Sequence, residues 1–150
     1  MTAQAVIRLL GLAPHPEGGH FREIYRGSAP DSGRGTATSI YFLLAAGERS
    51  HWHRVDADEI WNYHVGAPLA LDLWAEGEDA VRGHRLGADL AAGQRPQAVV
   101  PRNVWQSAVS LGAWTLVGCT VAPAFDFKGF EMAPRGWVPG GRSSSPNRSG

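Results

Sequence analysis

Apolar and polar positions along this chain change places at short intervals, and the period decides the element. Val6, Leu9 and Leu10 recur at helical spacing with Gly11 directly behind them, which predicts one short helix over residues 2–12. The segment Pro14-His15-Pro16-Glu17-Gly18-Gly19 is too rich in Pro and Gly for either regular structure. From residue 20 to 26, Phe21, Glu23 and Tyr25 alternate with Arg22 and Ile24, the two-residue period of a strand. Residues 27–35 form a polar loop. Further strands are predicted over residues 38–44, 51–53, 59–65, 69–74, 81–86, 97–100, 107–109 and 114–121, punctuated by Gly47, Gly66, Gly77, Gly93 and Gly112. Short strands at this spacing predict an all-β sandwich or barrel rather than a parallel βαβ sheet.

Composition agrees. The chain holds 19 Gly and 10 Pro in 150 residues, an excess of turn-formers. With 43% hydrophobic and 19% charged residues it has the means to build a core. A domain of this size buries about 68–70% of the surface its unfolded chain exposes. Residues 1–135 are expected to form one domain, and residues 136–150, with Gly140-Gly141-Arg142-Ser143-Ser144-Ser145-Pro146, a low-complexity disordered tail. Fourteen basic side chains balance fourteen acidic ones, which argues against nucleic acid as a partner. No apolar run approaches the about 20 residues of a membrane span, and the first residues lack the order of a secretory signal, so a cytoplasmic domain is expected. The single cysteine, Cys119, excludes an intrachain disulfide and a thiolate-rich zinc site; mid-strand, it reads as a buried structural thiol.

The densest chemistry lies in His51-Trp52-His53-Arg54-Val55-Asp56-Ala57-Asp58-Glu59. In an unbroken strand His51 and His53 share a face, and Glu59 opens the next strand on a face with Trp61 and Tyr63. Two imidazoles and a carboxylate converging there can ligate a divalent metal or act as a general base with its orienting partner. Glu17, among glycines that let backbone approach a ligand, is a candidate for binding hydroxyls. Arg22 and Arg26 are candidates for an anionic group. Phe125 and Phe127 alternate as aromatic plugs for a barrel end, while the break at Gly129 turns Glu131 toward the interior. Tyr41, Trp61, Tyr63 and Trp105 fit either core or pocket lining. No glycine-rich phosphate loop precedes a helix, and no Gly-x-Ser-x-Gly elbow occurs.

The series Gly47, His51, His53, Glu59, Gly66 resembles the first cupin motif, with a shorter gap before His51 and a longer one before Glu59. Pro101-Arg102-Asn103-Val104-Trp105-Gln106 resembles the second more loosely. Pro14 to Gly19, Thr38 to Leu44, Ser50 to Trp61, Trp105 to Ala108 and Phe125 to Glu131 together resemble a small cupin family, Cupin_5 or DUF985, over about Val6 to Ala133. The resemblance implies a double-stranded β-helix, the cupin jelly-roll barrel, with one short N-terminal helix, a pocket in the barrel mouth and a homodimer. Where metal-binding cupins place a third histidine this chain has Gln106, a weak ligand for ions that suit imidazole. The expectation is therefore a metal-independent epimerase, isomerase or dehydratase (a lyase) with no required cofactor. It would act on a sugar, nucleotide-sugar or nucleoside-like small molecule. His53 is the expected base and Glu59 its partner; Glu17, Tyr41, His51, Trp61, Tyr63, Trp105, Gln106 and Glu131 are the expected binding contacts. Two alternatives remain: a weakly bound divalent metal on His51, His53, Glu59 and Gln106, serving an oxygenase or isomerase, and a non-catalytic module that binds a sugar or metabolite.

Overall fold

The computed structural model describes residues 1–140, residue 32 by its backbone alone, and the backbone of residues 142 and 143. Its one α-helix, α1 (Ala3–Leu10), starts where the Thr2 hydroxyl accepts from the Ala5 amide at 3.1 Å and stops at Gly11 in the left-handed conformation. The strands are β1 (Ala13–Pro14), β2 (His20–Arg26), β3 (Thr38–Ala45), β4 (Arg49–Val55), β5 (Asp58–Gly66), β6 (Leu69–Trp74) and β7 (Arg82–Leu86). They continue as β8 (Gln97–Val100), β9 (Trp105–Ser110), β10 (Trp114–Ala122), β11 (Phe130–Met132), β12 (Trp137–Val138) and β13 (Arg142–Ser143). All nine strands read from the sequence are present. Those expected over 51–53 and 107–109 lengthen because Arg49 pairs with Val109 and Ser50 with Ala108.

Two antiparallel sheets, ordered β1-β2-β3-β10-β5-β8 and β11-β4-β9-β6-β7, roll into the double-stranded β-helix. Their inward faces are legible from burial. In β10, Val117 and Cys119 point into the barrel while Leu116 packs outside with Val6, Leu12 and Leu43 under α1. Phe42, Trp61, Leu71, Leu73 and Val100 fill one end of the barrel solidly. Toward the other end the inward positions become smaller or polar: Thr38, Ile40, Glu59 and Val121 line a cavity of about 450 Å³. The barrel is thus plugged at one end and hollow at the other, and the hollow end carries the chemistry.

The packed chain continues past residue 135. Trp137 lies 4.6 Å from Trp105 and 6.0 Å from both Trp52 and Trp74, measured between ring centres, and with them covers the outer face of the second sheet. Residues 141 and 144–150 of the expected tail lie outside the described residues.

Candidate active site

An irregularity in β4 organises the site. Ser50 pairs with Ala108, but His53 pairs with Gln106, so one extra residue is accommodated between them. That bulge brings Ser50 and His53 to the same inner side and turns His51 away. Glu17 meets both. Its Oε2 accepts from the Ser50 hydroxyl at 2.8 Å and lies 2.8 Å from His53 Nδ1, which also contacts the His51 carbonyl oxygen at 2.7 Å. The Pro-Gly segment presents Glu17 through a tight turn in which the Gly18 amide donates to the His15 carbonyl. Gly18 has φ of 111°, and a Cβ on it would collide with the Arg49 carbonyl. Only glycine fits that position.

Both partners of this pair are buried. Burial alone would lower the pKa of His53, but the charge and hydrogen bond of Glu17, joined by the charge of Glu59, raise it from 6.5 to about 9. Burial alone would raise Glu17; the charge and hydrogen bond of His53, with the Ser50 hydroxyl, hold it below its ordinary value. The pair is an imidazolium and a carboxylate at neutral pH. His15 Nδ1 lies 3.4 Å from Glu17 Oε1 and accepts from the Glu17 amide; burial lowers its pKa, against the charge of Glu17 and together with that of His53. Both hydrogen-bond contacts of His53 fall on Nδ1, which leaves Nε2 to face the cavity the residue lines.

Glu59 lines the same cavity, held from behind. Trp61 Nε1 donates to Gln106 Oε1 at 2.9 Å, and Gln106 Nε2 donates to Glu59 Oε1 at 2.8 Å. The indole can only donate, so it fixes which end of the Gln106 amide faces Glu59. Burial raises Glu59 to about 7, moderated by the charge of His53 and by hydrogen bonds from Gln106 and Cys119. Burial likewise pushes the Cys119 thiol well above its ordinary range. Cys119 is buried, as expected, but it also borders the cavity and hydrogen-bonds Glu59. The arrangement offers one charged acid, His53, and one carboxyl that titrates near neutrality, Glu59, facing a common space.

Other expected contacts fall elsewhere. His51 Nε2 lies 3.0 Å from the Ala133 carbonyl oxygen, beside an outer groove, so it is not a cavity residue. Tyr41 packs outside the barrel with α1. Trp105 belongs to the outer tryptophan cluster, under the Arg54 guanidinium at 4.7 Å. Glu131 is also external: strand pairing sets it opposite Arg54, whose Nη2 it meets at 2.9 Å. Trp61 and Tyr63 point inward but serve packing and internal hydrogen bonds; the Tyr63 hydroxyl donates to the Gly66 carbonyl at 2.6 Å. The orienting partner of His53 is Glu17 rather than Glu59. Of the two arginines, Arg22 donates to the Leu10 carbonyl and only Arg26 reaches the cavity.

Sequence reasoning missed His15, Arg34 and Phe130; Phe125 and Phe127, expected as aromatic plugs of a barrel end, stand at that end as part of the cavity wall. No period marks loop residues. Cys119 did have a signal, its inward phase with Val117.

The cupin resemblance raises the question of a metal. The four expected ligands do not converge: His51 faces outward, and both polar ends of Gln106 are engaged by Trp61 and Glu59. Among the described residues no three His, Cys, Asp or Glu side chains form a metal-holding group. The donor set does not fit a metal centre of the kind expected.

A double-stranded β-helix with a polar cluster in one mouth defines the cupin class. The chain belongs to the family described as Cupin superfamily (DUF985), Cupin_5, which it matches over residues 4–133. A solved Shewanella oneidensis protein is similar at 43% identity, covering 89% of this chain and 85% of that one, with a TM-score of 0.83. A hypothetical protein from Leishmania major is 32% identical, covering 89% and 88%, with a TM-score of 0.80. A dTDP sugar isomerase from Desulfovibrio desulfuricans shares the fold at 15% identity, covering 83% and 87%, with a TM-score of 0.57. No curated protein matches the sequence. No helix among the described residues is long and apolar enough to cross a membrane.

Proposed function

We propose that this cupin is a metal-independent acid–base enzyme, an isomerase, epimerase or dehydratase acting on a small hydroxylated carbonyl compound of sugar or nucleoside type. The observation that carries the reading is the buried Glu17–His53 ion pair at 2.8 Å beside Glu59 in one cavity. The roles reverse those read from the sequence. With His53 protonated up to about 9 and Glu59 ionising near 7, the carboxylate is the better base and the imidazolium the acid. Glu59 removes a proton from the carbon beside the carbonyl, and His53 Nε2 gives its proton to the carbonyl oxygen, leaving an enediol. Return of the proton from Glu59 to the other enediol carbon completes an isomerisation, and to the opposite face of the same carbon, after the intermediate turns over, an epimerisation; in each case His53 Nε2 takes a proton back from the enediol oxygen that becomes the product carbonyl. Loss of a neighbouring hydroxyl as water, with the proton held by Glu59, while His53 takes its own proton back from the enol oxygen, completes a dehydration. Glu17 stays ionised throughout and holds the ring by Nδ1. The dTDP sugar isomerase of the same fold lends support.

The test is solvent deuterium exchange. Candidate sugars and nucleosides incubated with the protein in heavy water should lose the proton beside the carbonyl, and Glu59→Gln and His53→Asn should abolish the loss. Exchange unaffected by both substitutions overturns the mechanism; saturable binding with no exchange points to the binding-module alternative. A homodimer and a cytoplasmic location belong to the same proposal, checked by sedimentation and by cell fractionation.

A further inference from the structure

Three cationic side chains line the cavity, His53, Arg26 and Arg34, and each already has its own carboxylate. His53 Nδ1 lies 2.8 Å from Glu17, Arg26 Nη2 2.8 Å from Glu23, and Arg34 Nη2 2.8 Å from Asp56. The remaining contacts of the arginines go to backbone: Arg26 Nη1 to the Phe125 carbonyl at 3.2 Å and Arg34 Nε to the Ala124 carbonyl at 2.6 Å. The two guanidinium groups therefore serve as ties across the mouth. On the opposite side of the balance, Glu59 and Asp126 line the cavity with no ion pair among the described residues. The Asp126 carboxylate caps a short turn by accepting the Lys128 amide at 3.0 Å. The wall between these groups is aromatic, with Phe125, Phe127 and Phe130 set edge to face at 4.8 to 5.9 Å.

An entering phosphate or carboxylate would thus meet no cation whose charge is not already offset by its own carboxylate, and two carboxyl groups that no cation offsets. From these pairings we infer that the cavity selects an uncharged ligand, a free sugar, lactone or nucleoside whose apolar ring face lies on the phenylalanines, and discriminates against its phosphorylated form. This rests on the proposed acid–base site and narrows its substrate class. Repulsion by one carboxylate at about 8 Å, in an effective dielectric of about 20, weakens an anionic ligand by more than about tenfold. Stacking on the aromatic wall is common to both forms, so the difference between them isolates the charge.

Matched pairs test this on the full chain: ribose and its phosphate, glucose and its phosphate, uridine and its monophosphate, titrated at neutral pH by saturation-transfer NMR. The uncharged member of any pair that binds should bind more than about tenfold tighter. Asp126→Asn, which keeps the turn cap, should narrow that gap at least about threefold. Equal or tighter binding of the phosphates, a gap unchanged in Asp126→Asn, or no binding by any uncharged member overturns the inference. The catalytic reading fails on a different result: an uncharged ligand binds with the expected preference, yet wild-type protein exchanges none of its protons.

Discussion

Glu17 and His53 come from different parts of the chain, a Pro-Gly turn and an inner strand, yet their buried side chains meet at 2.8 Å. A buried ion pair of this kind does not by itself stabilise a fold, because desolvation offsets the attraction; removing one member is what costs.

Glu17→Gln therefore leaves an imidazole that can no longer hold its charge. The expected result is a fall in the His53 pKa from about 9 toward 6.5, followed by NMR titration of the ring. Stability should drop by about 3 kcal/mol at neutral pH in urea denaturation. An unchanged ring titration would show that Glu17 is not what charges His53.

Stability should decline with pH over most of the accessible range. The contribution of His53 is complete below its unfolded value of 6.5 and is lost as pH climbs through about 9. Glu59 resists ionising in the folded state, so stability also falls between 4.5 and about 7. Glu17 acts in the opposite sense: its contribution is present above 4.5 and is lost as pH falls below that. His15, whose pKa burial lowers, adds stability as pH rises toward 6.5, so denaturation midpoints should peak between about pH 5 and 6.5 and drop toward about pH 9. A profile rising from that peak toward about pH 9 would contradict these ionisations.

Once a substrate is in hand, kcat/KM should rise as Glu59 ionises near 7 and fall as His53 deprotonates near 9. Gln106→Leu removes a hydrogen bond to the Glu59 carboxylate and should move the acid limb to higher pH. It also strands the Trp61 indole N–H, at about 1–3 kcal/mol of stability. A limb that stays put would assign Gln106 to packing alone.

His51→Ala separates this site from a metal centre. His51 holds the backbone at Ala133 and Pro134, so its loss should cost about 1 kcal/mol and leave turnover and metal content unchanged. Elemental analysis showing near-stoichiometric metal in wild type, lost in the variant, would restore the metal reading.

Gly18→Ala tests the turn that delivers Glu17. The added Cβ meets the Arg49 carbonyl at a backbone angle that L residues rarely adopt, so about 2 kcal/mol or more should be lost.

Much of this was readable beforehand. Two-residue alternation located every major strand, because one face of each packs inside a barrel, and a Gly stop closed the helix. His53, Glu59 and Glu17 were legible as cavity residues from residue type, phase and glycine context. His51 was misplaced because phase arithmetic assumes an unbroken strand. Tyr41 and Trp105 have the right composition for a pocket, and only the packing of α1 and the tryptophan cluster shows that they lie outside. Phe127 and Arg34 sit on loops, where contacts across the chain decide position and no local period exists. Trp137 looked like part of a tail since its glycine and serine neighbours hide the three rings awaiting it.

The surplus residue between Ser50 and His53 has a consequence for comparing relatives of this chain. Aligning them by motif letters alone would treat the two imidazoles as equivalent neighbours, while in space they sit on opposite sides of a wall. A relative lacking that one backbone unit would swap which ring looks inward, and with it the partner available to Glu17. Homologues should therefore be sorted by the length of this stretch before any shared chemistry is assigned to them.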